Sequence, residues 1–134
     1  MSGLYNLKKG VAVGSDLSSV AADDITPNYQ VLADDGAITI PDGGVKTVFL
    51  TKGTASAITV AAPTATTHDG VIIHVVSTTA AAHTITATTI GFNAGDAASD
   101  VATLGAAIGN GLSFVAYQGE WYVLPGGNTN ATLA

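Results

Sequence analysis

Apolar and polar residues alternate along most of the chain from Val31 onward, a two-residue period typical of β-strands with one buried face. Turn dipeptides and loops rich in glycine, proline and threonine separate these short segments. The predicted strands cover residues 36–40, 45–51, 57–61, 71–77, 83–89, 112–117 and 121–124. Because no segment shows a sustained helical period, we expect an all-β domain, a small antiparallel sandwich or jelly-roll-like barrel.

Three stretches need separate interpretation. Residues 71–77, V-I-I-H-V-V-S, are apolar on both faces, which predicts a central strand covered on both sides. Residues 97–108 are compatible with a short helix and equally with a strand or loop. The Asn110-Gly111 dipeptide predicts a tight turn ahead of the last strands.

The clearest single element is a β-hairpin predicted over residues 112–124, L-S-F-V-A-Y-Q-G-E-W-Y-V-L. Two apolar runs flank the polar connection Gln118-Gly119-Glu120, which is a hairpin signature. Aromatic side chains bury the largest area per residue, so this hairpin is expected to be a main packing element. The candidates for the core or for an interface between subunits are His74, Phe114, Tyr117, Trp121 and Tyr122.

The two ends of the chain differ in composition from the middle. Residues 1–30 lack a sustained period and are predicted to form an extended arm, with a short strand near Val11 and a helical turn within residues 15–24, although a frayed terminus is the alternative. Residues 31–125 form the predicted domain, and residues 126–134 a polar tail rich in glycine and asparagine. No signal peptide and no apolar run long enough to span a membrane is evident.

Composition narrows the possible partners. Charged residues make up 10% of the chain, against about 25% in typical domains. There are four lysines and no arginine, and the net charge is −6, so the basic footprint that nucleic-acid binding needs is missing. A surface with so little charge favours oligomerisation or a place in a larger assembly, although a neutral, threonine-rich soluble surface is the alternative. The absence of cysteine excludes disulfides and thiol chemistry.

Candidate chemistry is sparse. The three histidines His68, His74 and His83 do not have the spacing of a metal site, and the pairs Asp23-Asp24 and Asp34-Asp35 do not match a calcium loop. The chain contains no nucleophile elbow and no phosphate-binding loop. We therefore expect a protein that is not an enzyme and that needs no metal, cofactor or small-molecule substrate.

Four phrases of the sequence resemble a known family. They are I-T-V-A-A-P at 58–63, H-D-G-V-I-I at 68–73, S-T-T-A-A-A-H-T-I-T at 77–86, and the hairpin at 112–124. Together they resemble the small capsid decoration, or cement, proteins of tailed bacteriophages, over roughly residues 36–125. The resemblance implies a small β-sandwich or β-barrel module that binds the outer surface of the expanded capsid, typically as a trimer at threefold and quasi-threefold positions.

The resemblance also implies partners and a location. The partners would be the major capsid protein and two further copies of the chain, and the protein would be made in the host cytoplasm and reside on the outer surface of the virion. Family members commonly extend an N-terminal arm across the capsid, a role that residues 1–30 would fit. The capsid-contact candidates are Leu4, Tyr5, Leu7, Lys8, Lys9 and Tyr29.

Two other functions stay open at this point. A phage fibre or receptor- or glycan-binding β module is the first, since Trp121 and Tyr122 could stack on sugars. An ice-binding face is the second, which needs Thr-x-Thr rows on several adjacent strands of a flat sheet. Thr84, Thr86 and Thr88 form one such row, and the neighbouring predicted strands do not repeat it.

Overall fold

Ten β-strands make up the part of the chain that the structure, a computed structural model, describes: residues 28–94 and 100–134. No helix occurs among these residues, and an all-β fold is confirmed. In chain order the strands are β1 Tyr29–Leu32, β2 Gly36–Ile38, β3 Val45–Leu50, β4 Ala57–Val60, β5 Ile72–Ser77, β6 Thr84–Ala87, β7 Val101–Leu104, β8 Gly111–Tyr117, β9 Glu120–Thr129 and β10 Ala131–Leu133.

The strands form two five-stranded sheets that pack face to face as a sandwich. Sheet A has the order β1-β3-β5-β8-β9, and sheet B has the order β10-β7-β6-β4-β2. Apolar side chains on the inner face of each sheet meet in one shared core, as the two-residue period predicts. The predicted sandwich is therefore confirmed.

The expected antiparallel strand direction is wrong for the first six strands. These strands alternate between the sheets, so β1, β3 and β5 pair in parallel in sheet A, and β2, β4 and β6 do so in sheet B. The turns carry the chain across the core instead of folding it back on itself, so that strands adjacent in sequence face each other and do not pair. The alternating pattern fixes which side chains point inward but does not indicate which strand is the neighbour. Antiparallel pairs join β8 to β5 and β9, and β7 to β6 and β10.

The predicted hairpin is present as β8 and β9, joined by the two-residue turn Gln118-Gly119. Both turn residues have positive φ angles, 47° and 84°. This backbone conformation gives the turn a twist that matches the twist of the two strands it joins. The hairpin carries Phe114 and Trp121 into the core, where their rings meet edge to face at 5.0 Å between centroids. Phe92 packs on the other side of Phe114 at 5.2 Å. These three rings are the largest fully buried side chains among the described residues.

Strand β5 is the middle strand of sheet A, as its apolar pattern predicts, but only one of its faces is covered by described residues. Ile73 and Val75 are fully or almost fully buried, whereas Ile72, His74 and Val76 lie on the outer face and are partly exposed. A run that is apolar on both faces indicates two contact surfaces. One of them is the core, and the other is an outer face that the described chain leaves uncovered.

The expected polar tail at residues 126–134 belongs to the sandwich instead. The chain runs to the end of β9, turns at Asn130 with φ 55°, and enters sheet B as β10. The Asn128 side chain closes this turn, because its Nδ2 donates to the Ala131 carbonyl at 3.0 Å and its Oδ1 accepts from the Ala131 N–H at 2.8 Å. The glycine and asparagine residues therefore make a crossing between the two sheets.

Two smaller predictions are also settled. Within the ambiguous stretch 97–108, the strand interpretation is correct for Val101–Leu104, which is β7. The expected tight turn at Asn110-Gly111 is wrong, since the positive φ of 90° lies at Gly109 and Gly111 already begins β8. The predicted strand and helical turn of the N-terminal arm lie outside the described residues.

Candidate interaction faces

The outer face of sheet A, here called the A-face, is mostly apolar. Its residues come from β1, β3, β5, β8 and β9 at the positions that alternate with the buried ones. Tyr29, Val31 and Tyr117 are more than half exposed, and Val45 and Tyr122 are also exposed. The other A-face residues are Thr47, Phe49, Ile72, His74, Val76, Ser113, Val115 and Glu120.

The strand register arranges these side chains in rows across the sheet. Val45, Ile72, Val115 and Tyr122 align across β3, β5, β8 and β9, so four apolar side chains follow one another without a polar residue between them. A second row of Val31, Phe49 and Val76 crosses β1, β3 and β5. Contiguous apolar surface of this kind is uncommon on monomeric domains and marks a contact surface.

A polar row crosses the same face through Thr47, His74 and Ser113. The His74 Nδ1 atom lies 2.6 Å from the Ser113 Oγ atom, a short hydrogen bond between the two side chains on a mostly apolar surface. A serine–histidine pair is also the beginning of a hydrolytic site, but such a site needs a third group that orients the imidazole. Among the described residues no hydrogen bond joins a carboxylate to His74, and the pair is best described as a polar contact point on the A-face.

Glu120 supplies a second polar point at the end of this face. It is the cross-strand partner of Tyr117. Its Oε1 atom is buried and has no hydrogen-bond partner among the described residues. A buried carboxylate oxygen without a donor is costly, so this position favours contact with a hydrogen-bond donor from outside the described chain.

The edge strands of the two sheets differ in how well they are protected against pairing with a strand of another chain. The β2 edge is closed by the Gln30 amide, which donates to the Ala37 carbonyl at 3.0 Å and accepts from the Thr39 N–H at 2.9 Å. The β9 edge is bridged by Phe92 and by Asn93, whose N–H donates to the Trp121 carbonyl at 2.7 Å.

Strand β10 is only three residues long, which itself limits pairing at the far edge of sheet B. Strand β1 has no comparable protection within the described residues, and it forms one edge of the A-face. The backbone groups on its outer side, together with exposed Tyr29 and Val31, continue the apolar surface to the edge of sheet A.

The outer face of sheet B, the B-face, has a different chemistry. The register aligns Thr59 with Thr86, and Thr84 with Thr103 and Thr132. Strand pairing thus brings together single threonines that lie far apart in sequence, whereas the Thr-x-Thr row of Thr84 and Thr86 is not repeated on the paired strands β4 and β7. Each row covers only two or three adjacent strands. The B-face is a neutral hydroxyl and methyl surface rather than an apolar one.

The predicted core or interface residues separate into two groups. Phe114 and Trp121 have no exposed surface, and the Trp121 Nε1–H donates to the Ala61 carbonyl at 2.8 Å. His74, Tyr117 and Tyr122 lie on the A-face, together with the capsid-contact candidate Tyr29. The other candidates for capsid contact, Leu4, Tyr5, Leu7, Lys8 and Lys9, lie outside the described residues.

Tyr117 was predicted, but the outward residues of β3, Ser113 and Val115 of β8, and the register that joins them into one face were not. The signal available was the doubly apolar pattern of residues 71–77, which indicates a second surface. That pattern does not say which strands share it.

Two groups that drew attention in the sequence have structural roles. Asp69 connects the loop before β5 to the hairpin turn, because it accepts from the Gln118 N–H at 2.7 Å, from Gln118 Nε2 at 2.6 Å and from the Thr66 N–H at 3.1 Å. These hydrogen bonds, led by the Gln118 backbone N–H, lower the pKa of Asp69. Lys52 lies 2.7 Å from Asp34 and 3.4 Å from Asp35, and its hydrogen bond lowers the pKa of Asp34.

His83, which the sequence analysis considered only as a metal ligand, is fully buried between the sheets. Its Nδ1 atom accepts from the Ser56 N–H at 3.1 Å and lies 2.7 Å from the Ser56 Oγ atom. Nε2 lies 3.1 Å from the Thr79 hydroxyl, which donates to the Lys52 carbonyl at 2.6 Å. Burial lowers the pKa of His83, and the charge of Lys52 lowers it further.

No cluster of three or more potential metal ligands occurs within residues 28–94 and 100–134. In the same residues no helix is long and apolar enough to cross a membrane. Comparison of the chain with protein-family models, with curated proteins and with solved structures gave no match.

Proposed function

We propose that this protein is a structural component of a tailed-phage virion that binds the outside of the capsid as a trimer and stabilises the major capsid protein lattice. The single observation that supports a protein-contact role is the A-face, where a row of four apolar side chains, two exposed and two partly exposed, crosses four strands of a five-stranded sheet. When protein covers such a face, each Å² of apolar area removed from water stabilises the contact by roughly 25 cal/mol. In this proposal the A-face is the surface through which subunits contact one another.

The capsid itself enters the proposal through the resemblance of residues 36–125 to decoration proteins. The low charge of the chain agrees with a surface that is largely covered by other subunits. Many copies on one lattice bind with combined strength, so that a single subunit needs no large energetic hot spot. The predicted capsid contacts stay Leu4, Tyr5, Leu7, Lys8, Lys9 and Tyr29, of which Tyr29 lies on the A-face in the edge strand of sheet A.

The test compares two double variants of the full chain by light scattering and by co-sedimentation with expanded capsids. Val45→Lys with Tyr122→Lys places two charges in the apolar row of the A-face, whereas Thr59→Lys with Thr103→Lys places two charges on the B-face. All four positions are exposed, so the folded sandwich should tolerate each change. We expect the A-face variant to be monomeric and depleted from capsids, and the B-face variant to retain a trimeric mass.

Two outcomes would count against the proposal. A wild-type protein that is monomeric, or an A-face variant that keeps the trimeric mass, would remove the A-face as the subunit contact. A wild-type trimer that does not sediment with capsids would leave the assembly but reject the capsid as its partner.

A phage fibre or receptor- or glycan-binding module is the second candidate. The observation that favours it is the pair of exposed tyrosines at the end of the hairpin, Tyr117 and Tyr122, next to Glu120, whose Oε1 atom has no hydrogen-bond partner among the described residues. Exposed aromatic rings beside a carboxylate are suitable for stacking on a sugar and accepting from its hydroxyls. A glycan screen of the wild-type protein and Tyr117→Ala distinguishes the two functions, since the capsid proposal expects no saturable glycan binding by either.

A further inference from the structure

Lys46 is an unusual residue for the interior of a sandwich. It lies on the inner side of β3, at the position that alternates with buried Val48 and Leu50, and only 7% of it is exposed. Lysine is almost never so buried unless it is paired. The Nζ atom donates to the Thr39 carbonyl at 2.6 Å, and this is its one hydrogen bond among the described residues.

The ammonium group of a lysine has three N–H donors, and here one of them is used by the described chain. No carboxylate of the described residues forms an ion pair with Lys46, whereas Lys52 pairs with two aspartates. Burial lowers the pKa of Lys46, as desolvation of an uncompensated charge requires. The fold therefore holds a buried cation whose counter-ion the described residues do not provide.

A cavity of about 460 Å³ opens beside this side chain at the end of the sandwich. Ile40, Pro41 and Val45 give it apolar walls, and Asn28 and exposed Asp42 also line it. The apolar walls fit the carbon atoms of a small group, and Lys46 fits an anion. Asp42 adds one negative charge to the lining, which disfavours a doubly charged phosphate relative to a singly charged anion.

We propose that this cavity is a binding site for a carboxylate group, held by the Lys46 ammonium and packed against the apolar walls formed by Ile40, Pro41 and Val45. The carboxylate can come from two sources, a free small carboxylate or an aspartate of the chain itself. Asn28 lines the cavity. Asp24 lies four residues before Asn28 in the sequence, and Asp23 immediately precedes Asp24. The site shares Val45 with the A-face, but it does not require that the proposed virion function be correct.

The experiment follows the Lys46 side chain by NMR of the full-length protein with 13C-labelled lysine. Lys46→Met assigns the signal, and the Lys52 signal in the same spectrum serves as the internal control. Sodium acetate is titrated against sodium chloride at equal ionic strength, with sodium phosphate as a third series. The same titrations are run on a variant with Asp23→Asn and Asp24→Asn.

A free carboxylate is the ligand if acetate shifts the Lys46 signal saturably in the wild type while the Lys52 signal follows ionic strength alone. The chain's own aspartates are the source if the double variant lowers the pKa of Lys46 and acetate then binds only to that variant. The proposal is overturned if neither acetate nor the double variant changes the Lys46 titration. It is equally overturned if phosphate binds more tightly than acetate, or if Asp42→Asn lowers the pKa of Lys46, which would make Asp42 the counter-ion.

Discussion

The Trp121 side chain makes three kinds of stabilising interaction, so we expect substitution at this position to destabilise the core strongly. It is fully buried, its ring packs edge to face on Phe114, and its Nε1–H reaches the Ala61 carbonyl. Trp121→Ala is therefore expected to lower the free energy of unfolding by about 3–5 kcal/mol. Urea denaturation measures this loss. Tyr122→Ala, at the neighbouring exposed position, is the control and should cost far less, and equal losses for the two variants would contradict the assignment of Trp121 to the core.

His83 gives the protein a pH-dependent stability. Because Ser56 donates its N–H to Nδ1, the proton of the neutral ring is assigned to Nε2, and a second proton would break this arrangement. The unfolded chain binds that proton with a pKa near 6.5, whereas burial lowers the pKa in the folded state. The unfolded state thus binds more protons below about pH 6.5, so stability is present above this pH and falls as the pH drops below it.

Unfolding of the wild type and of His83→Gln at about pH 7.5 and about pH 5.5, on either side of the ordinary histidine pKa, isolates this contribution. All other side chains are common to both proteins, so that their contributions cancel in the comparison. We expect the wild type to lose more stability on acidification than the variant. An equal loss in both would show that His83 does not carry the pH dependence.

Two glycines of strand β8 and its hairpin turn are required for different structural reasons. Gly119 occupies a backbone conformation with φ 84° in the hairpin turn, as the sequence predicts. Gly111 is required by close approach instead, because an added Cβ would overlap the Val75 carbonyl oxygen of the neighbouring strand. The sequence alone cannot separate these two uses, since both place a glycine next to a strand.

Gly111→Ala should therefore be strongly destabilising, by about 1–3 kcal/mol or more, because the obstacle is backbone and cannot rotate away. Gly53→Ala is the matched control, since no atom lies within 4 Å of the Cβ it would add and its φ is not positive. Thermal and urea unfolding of both variants measure the difference. A Gly111→Ala protein as stable as Gly53→Ala would mean that β5 and β8 are further apart than described.

Strand positions were predictable from the sequence, but strand partners were not. Period-two alternation identified β2, β4 and β6, because burial of one face dictates alternation, and apolar runs between turn signals identified β3, β5 and the hairpin β8–β9. In β3 the pattern is ambiguous, since Val45, Thr47 and Phe49 are about as apolar as Lys46, Val48 and Leu50. The structure buries the second set, lysine included, because the parallel pairing with β5 fixes which face meets the core. That choice depends on contacts far along the chain, and it determines both the A-face and the Lys46 cavity.

For the whole molecule, the two outer faces divide the surface by chemistry. The A-face is apolar, with aromatic residues at its ends, and the B-face is a neutral threonine surface. The chain carries a net charge of −6, so two copies repel one another electrostatically, and the proposed A-face contact would have to offset this repulsion by burying apolar surface. Added salt screens the repulsion between the negatively charged chains, which favours association through an apolar interface. It also screens ion pairs, which weakens an ionic interface.

The proposed A-face contact should therefore persist or strengthen as salt is added. Raising sodium chloride from about 0.05 M to about 0.5 M shortens the screening length to well under 10 Å and weakens the repulsion between negatively charged subunits. Among the described residues of the A-face, Glu120 is the only charged side chain, so few ion pairs are available to be lost. The mass measured by light scattering at fixed subunit concentration is expected to hold or increase across this range, and sodium sulfate should favour association further. The Val45→Lys with Tyr122→Lys variant should stay monomeric in every condition. Dissociation of the wild type with rising salt would instead identify an ion-paired interface away from the A-face.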